Sequence, residues 1–209
     1  MLPPTIPLFP LPTVVLFPTV FLPLHIYEPR YRDMVRDALA GDRIIGMTLL
    51  KPGFEDDYEG RPAVYGIGCA GLITHHERLA DGRYNIVLRG LERFRIHGED
   101  ESRPYRLAHV ESLPESPGER ERLELHEERR RLESLLVPLV DHSDTHIPAD
   151  LPDDHLVNAL SQYLELEPIE RQALLEVEGL LARCRALAEL VEMKVLSKRA
   201  PRGESATRH

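Results

Sequence analysis

"YGIGCAGLI", residues 65–73, sets Gly66, Gly68 and Gly71 at the spacing G-x-G-x-x-G. Between a buried strand and a full helix, that spacing cradles a dinucleotide pyrophosphate and marks a doubly wound α/β enzyme. The flanks do not supply that setting. The strand would be "AVY", directly after Pro62, and the helix "LITHHERLA", which contains Ile and Thr and is closed by Asp81-Gly82. Glu92 stands at a plausible ribose distance, but the βαβ unit needed to place it is missing. The glycines are instead expected to let a strand bend or carry bulges at the corner of a closed sheet.

The sequence around this stretch is strand-like from residue 64 to residue 110. "RYNIVLRGLERFRI" alternates, with Ile86, Leu88, Phe94 and Ile96 on one face and Arg89, Arg93 and Arg95 on the other, a solvated face paired with Glu92 or Glu99. Asp81-Gly82 supplies the positive φ of a tight hairpin. Upstream, eight prolines fall within the first 29 residues, among Val, Leu, Ile and Phe. Proline has no ladder donor, so short edge strands, kinks and corners are expected there, not a buried parallel sheet. "EPRYRDMVRDALAGD" reads as one short helix, opened by Pro29 and closed by Gly41, with Met34, Val35, Ala38 and Leu39 along its stripe. "RIIGMTLLK" reads as a strand and "PGFEDDYEGRP" as a loop.

After "PESPGE" the character changes. Residues 119–131 are dense in Glu and Arg and lead into Leu132, Leu135, Leu136 and Leu139, a long helix solvated at its start and docked at its end. Asp150 is placed to cap the next helix, with Leu156, Val157, Leu160, Tyr163 and Leu164 on its apolar stripe. Pro168 opens a short helix. The last helix carries Leu180, Leu181, Cys184, Leu187, Ala188 and Val191, and a polar tail follows. A β-rich part and then an all-helical part define an α+β fold, divided as residues 1–115, 116–197 and a tail, 198–209.

Composition excludes several functions. With 26 basic and 35 acidic residues the chain has a formal charge of −9, so polyanions are poor partners. The first basic residue is Arg30, and Pro18 and Pro23 break the apolar stretch before it, so neither a signal peptide nor a membrane span fits and a cytoplasmic protein is expected. Cys69 and Cys184 are read as buried small hydrophobes. No phosphate-loop motif and no G-x-S-x-G occur, and "HEERR" lacks the second histidine of a zinc-protease helix. His142 and His146 are four apart, but Pro148 and the polar residues around them make a loop, not a preset metal site. No catalytic residue, cofactor or metal is expected.

"IPLFPLPTVVLFPTVFLPLHIYEPRYRDMV", "GIGCAGLI" and "DGRYNIVLRGLERFRI" together resemble the N-terminal, substrate-binding domain of Lon-type ATP-dependent proteases, in free-standing form. The later "ALSQYLELEPIERQALLEVEGLLARCRALAELV" resembles the helical part that follows, so the likeness covers about residues 5–195. The resemblance implies a PUA-like β pseudo-barrel with one short helix, then a C-terminal α-helical bundle. It also implies recognition of protein substrates without the family's ATPase and protease modules, and Ser197-Lys198 are not the family's catalytic dyad.

The function expected is therefore a non-enzymatic module that binds unfolded segments or peptides, near a proteolytic system. Strand edges in the N-terminal segment could accept an extended peptide, with Phe9, Leu16, Phe17, Phe21, Tyr27 and Tyr31 as candidate contacts, although each one taken singly reads more readily as core or as packing for the helix at 29–40. Arg30 and Glu28 are expected to pair locally. The alternative is an RNA-binding PUA-like protein, using the arginine-bearing strand. The charge of −9 and the lack of aromatic residues on the arginine face oppose it. No nucleic acid and no membrane partner are expected.

Overall fold

The computed structural model describes residues 2–57, 60–136, 148 and 150–199. Among these described residues six strands and five α-helices follow one another as β1 (Thr5–Leu11), β2 (Phe21–Ile26), α1 (Pro29–Ala40), β3 (Ile44–Leu49), β4 (Ile67–Arg78), β5 (Tyr84–Asp100), β6 (Arg106–Leu113), α2 (Glu119–Leu136), α3 (Asp153–Tyr163), α4 (Pro168–Glu176) and α5 (Leu180–Arg199). The fold is α+β, and the change of character at 114–117 coincides with the passage from β6 to α2.

The sheet is mixed, in the order β2-β5-β4-β3-β1-β6, with β6 also paired to β5. The pairings β5–β4–β3–β1–β6–β5 therefore form a closed circuit, in which each of the five strands has two neighbours. The length of β5 makes closure possible. Its first half holds β2 from Tyr84 to Arg89, and its second half holds β6 from Arg93 to Asp100, on the flank away from β4. A small apolar cluster of Ile6, Leu8, Ala70, Phe94 and Ala108, with Ile44 against it, draws on all five strands of the circuit.

The expected placement of the prolines holds for β2 and fails for β1. Strand β2, with Pro23 at its centre, pairs with β5 alone among the described strands. Strand β1, with Pro7 and Pro10, lies inside the sheet between β3 and β6, and its pairing with β3 is parallel. Stagger makes this affordable: residues Thr5–Leu8 pair with β6, and residues Leu8–Leu11 pair with β3. Each proline thus has a ladder partner on one flank only, and its missing donor can face the other.

The glycine stretch is part of β4 and of no strand-turn-helix unit, and "LITHHER" continues the same strand to Arg78. The register between β4 and β5 slips at Ala70/Gly71. Gly68 is a close approach: a Cβ there would meet the Met47 carbonyl oxygen and come within 2.5 Å of Phe94 Cζ. The hairpin turn forms where expected, with Gly82 at φ 84°.

The α1 stripe is buried at Met34, Val35 and Ala38, and Arg30 Nε donates to Glu28 at 3.0 Å. Helix α2 is exposed at its start and buried at Leu125, Leu132 and Leu136. The α5 stripe is buried as expected. Asp150 is not the cap of α3; Pro152 occupies the N-cap position and no side chain caps the helix. One buried core joins sheet and helices, running from Phe17, Ile45 and Cys69 to Leu125, Leu174 and Leu187. Hydrogen bonds cross the same boundary: Phe17 N–H donates to Gln162 Oε1 at 3.0 Å, and Gln172 Nε2 donates to the Ile67 carbonyl at 3.0 Å. Residues 198 and 199 of the expected tail continue α5; residues 200–209, Leu139 and the His142/His146 loop lie outside the described residues.

Candidate peptide-binding surfaces

The six aromatic and apolar candidates do not form one surface. Phe9, Leu16, Phe17 and Tyr31 are core residues, with Phe9 and Tyr31 packed ring to ring at 4.5 Å. Phe21 and Tyr27 are exposed, at 51% and 60%. They border β2, whose odd-numbered residues Phe21, Pro23 and His25 all face solvent while Leu22 and Leu24 lean on the core. Tyr163, read from the sequence as part of the α3 stripe, is 66% exposed and donates its hydroxyl to the Phe21 carbonyl at 2.7 Å. Its helical spacing matched the core stripe, so no sequence signal set it apart.

Strand addition at the β2 edge is blunted. Gly90 N–H donates to the Val20 carbonyl, and alternation along an antiparallel pair then turns the backbone groups of Phe21, Pro23 and His25 outward. The central one of these has no N–H, and the Phe21 carbonyl is taken by Tyr163. What this edge offers is side chains. His25 is fixed between Asn85 Oδ1 at 2.8 Å from its Nδ1 and Arg83 Nη1 at 3.1 Å from its Nε2. Tyr27 stacks beside it, with centroids 6.5 Å apart. The result is an ordered, partly aromatic ridge.

A second feature is a cleft of about 670 Å³ between the sheet and the helices. Its walls include Leu2, Ile44, Leu91, Leu113, Leu125 and Leu180, and its polar lining includes Glu92, Asp153 and Asp154. Thr19 lines it at φ 67°, a left-handed conformation that is uncommon for a β-branched residue, and its hydroxyl is buried without a partner.

The cleft borders an arginine pair that the sequence did not reveal. Arg93 is buried, not on a solvated strand face as expected, and Arg89 and Arg95 alone remain exposed. The Arg93 Nη1 donates to the Leu175 and Val177 carbonyls, each at 2.8 Å, and its Nη2 meets Glu115 Oε1 at 2.9 Å. Arg183 of α5, with no exposed surface, grips the same carboxylate at 2.6 and 3.0 Å and reaches Asn158 and the Leu174 carbonyl. Glu115, in the β6–α2 connection, thus ties β5 to α5. Burial lowers the Arg93 pKa from its ordinary value, and the Glu115 charge works against that shift.

Neither cysteine offers a nucleophile. Cys69 and Cys184 are free and buried. Burial raises the Cys69 pKa far above the ordinary thiol range, and burial with the charges of Glu128 and Asp153 pushes Cys184 up to about 12. Thiolate is the reactive form, so an aromatic disulfide reagent at neutral pH is expected to label neither residue until denaturant is added. Stoichiometric labelling of the native protein would contradict this burial. Among the described residues no three His, Cys, Asp or Glu side chains gather as a metal ion requires, and no helix is long and apolar enough to cross a membrane.

The family described as the ATP-dependent protease La (LON) substrate-binding domain matches residues 5–193. The chain belongs to that family. It is 27% identical over 202 residues to the Lon protease of Flavobacterium johnsoniae, covering 93% of this chain and 24% of the relative. It is 26% identical over 199 residues to Lon protease 2 of Myxococcus xanthus, covering 92% and 24%. The chain therefore spans about a quarter of the length of these curated relatives. In fold it is similar to the N-terminal domain of the Mycobacterium avium complex Lon protease, with a TM-score of 0.65 and 18% identity over 90% of this chain and 98% of that one. It is also similar to a Lon N-terminal domain protein from Xanthomonas campestris, with a TM-score of 0.58 and 24% identity over 90% and 97%.

Proposed function

We propose that this protein is a binding module for unfolded or extended protein segments, acting in the cytoplasm without catalysis of its own and delivering or withholding those segments from a proteolytic system. The observation that carries the reading is the match of a substrate-binding domain over residues 5–193. In the same reading the closed strand circuit is a PUA-like pseudo-barrel, and α2 to α5 form the bundle that follows it, divided near residue 115. The contact surface narrows from six candidates to the ridge of Phe21 and Tyr27, joined by Tyr163, because aromatic side chains give large contact area at low entropic cost.

Changing both Phe21 and Tyr27 to serine is expected to weaken binding of a labelled unfolded polypeptide by about tenfold, the scale of one lost apolar contact. Both are exposed, so the unfolding midpoint should hardly move. Unchanged affinity in a folded double variant would reject the surface. RNA binding is disfavoured, since Arg93 is withdrawn into the core and the formal charge is −9.

A further inference from the structure

We infer that the solvent face of β2, β5 and β4 takes an extended segment in which an aspartate or glutamate stands two residues from an aliphatic residue. The carboxylate meets Arg89, and the aliphatic group lies between Pro23, Val87 and His75. The inference rests on the peptide-binding reading and gives the ridge of Phe21 and Tyr27 a sequence preference.

Strand register decides which side chains share this face. Phe21, Arg89 and Leu72 form one row across the three strands, Pro23, Val87 and His75 the next, and His25, Asn85 and Glu77 a third. The third row is tied together: Asn85 Nδ2 donates to Glu77 Oε2 at 3.0 Å, and Asn85 Oδ1 lies 2.8 Å from His25 Nδ1. A bulge in β4 shapes the other two. The register slips between Ile73 and His75, where the Thr74 hydroxyl donates to the Val87 carbonyl at 3.1 Å. Leu72 and His75, three residues apart, are thereby brought to one face. The middle row borders an open groove of about 340 Å³, with room for an aliphatic side chain.

The charge of the occupant follows from Arg89, which is exposed and has no ion pair among the described residues. Its partners in the row, Phe21 and Leu72, are apolar and supply no counter-charge. The acidic groups of this end of the sheet are engaged elsewhere: Glu77 stands two rows away and accepts from Asn85, and Asp81 is paired with Arg83 at 2.6 Å. A carboxylate placed beside the Phe21 ring loses part of its water, which strengthens its attraction to Arg89. The formal charge of −9 repels an acidic run, so the face selects one carboxylate and not several. Spacing follows from β5 itself. Val87 and Arg89 are two residues apart along an extended strand, about 7 Å, and alternate side chains of an extended segment lying along β5 have the same separation.

The test uses short fluorescein-labelled Gly/Ser peptides in anisotropy titrations of the full chain at low salt. One peptide carries leucine with glutamate two residues on, and two controls carry lysine in place of the glutamate or serine in place of the leucine. The serine control is expected to bind about tenfold more weakly and the lysine control about threefold more weakly. Arg89→Gln should abolish the preference for glutamate over lysine, and Arg89→Glu should reverse it. The unfolding midpoint should hardly move, because Arg89 is exposed. No binding of the leucine and glutamate peptide, equal binding of all three, or a glutamate preference that persists in both Arg89 variants would overturn the inference. Binding of a long unfolded polypeptide would then leave the broader reading standing, and failure of that polypeptide to bind would overturn both.

Discussion

Replacing Glu115 with alanine is expected to remove about 3–5 kcal/mol of folding stability, the cost of stripping the partner from a buried charge. Arg183 has no exposed surface and Arg93 is 4% exposed, so neither guanidinium can recover water when the carboxylate goes. Each would keep its carbonyl partners, from Leu174 for Arg183 and from Leu175 and Val177 for Arg93. Two cations would still lie together without the anion that now separates them. Glu115→Gln retains the shape and one acceptor oxygen and should cost less. Urea unfolding with an unchanged slope measures the difference, and a loss below about 1 kcal/mol for the alanine variant would show that the cluster does not hold sheet and helices together.

The second large effect is expected at Gly68. Gly68→Ala would drive a methyl group against the Met47 carbonyl oxygen and the Phe94 ring, and the first of these is backbone that cannot swing away. Overpacking of this kind costs about 1–3 kcal/mol or more, and the upper end applies because β3 and β4 must separate to relieve it. Gly66, two residues earlier, has nothing within 4 Å of an added Cβ, and neither residue has a positive φ, so Gly66→Ala should be near neutral. A nucleotide loop would reverse that ranking, since there the first glycine makes the tight turn. Equal stability of the two variants would contradict the packing described for β4.

What could be read from the sequence follows from the range of the interactions involved. Helix α1, the turn at Gly82 and the break at 114–117 are written in neighbouring residues, through a helix-opening proline, a positive-φ glycine and a change of periodicity. The glycines of β4 were readable by exclusion, because their flanks could not build a nucleotide site. Strand β1 was misjudged because proline argues against interior strands as a class, whereas the stagger of β3 and β6 that accommodates Pro7 and Pro10 is set by segments up to 104 residues away. Arg93 was misjudged for a similar reason. Alternation put it with Arg89 and Arg95, but its partners lie at Glu115, Leu175 and Val177.

The candidate surface was less legible than the fold. Phe9, Phe17 and Phe21 all sit among prolines and aliphatic residues, and their local sequence does not distinguish a ring that is buried from one that is half exposed. Burial is decided by what packs over the strand: Phe17 receives α3 and α5 through Gln162 and Arg183, while Phe21 is met by Tyr163 at its carbonyl and keeps its ring in solvent. Phe17→Asp would therefore report on folding and not on binding.

The most direct test of polypeptide recognition is fluorescence anisotropy of a labelled, permanently unfolded polypeptide titrated with this protein, beside a labelled single-stranded RNA, at two salt concentrations. Saturable binding of the polypeptide that survives the higher salt is expected, with no response from the RNA. Absence of polypeptide binding, or RNA binding that disappears with salt, would contradict it.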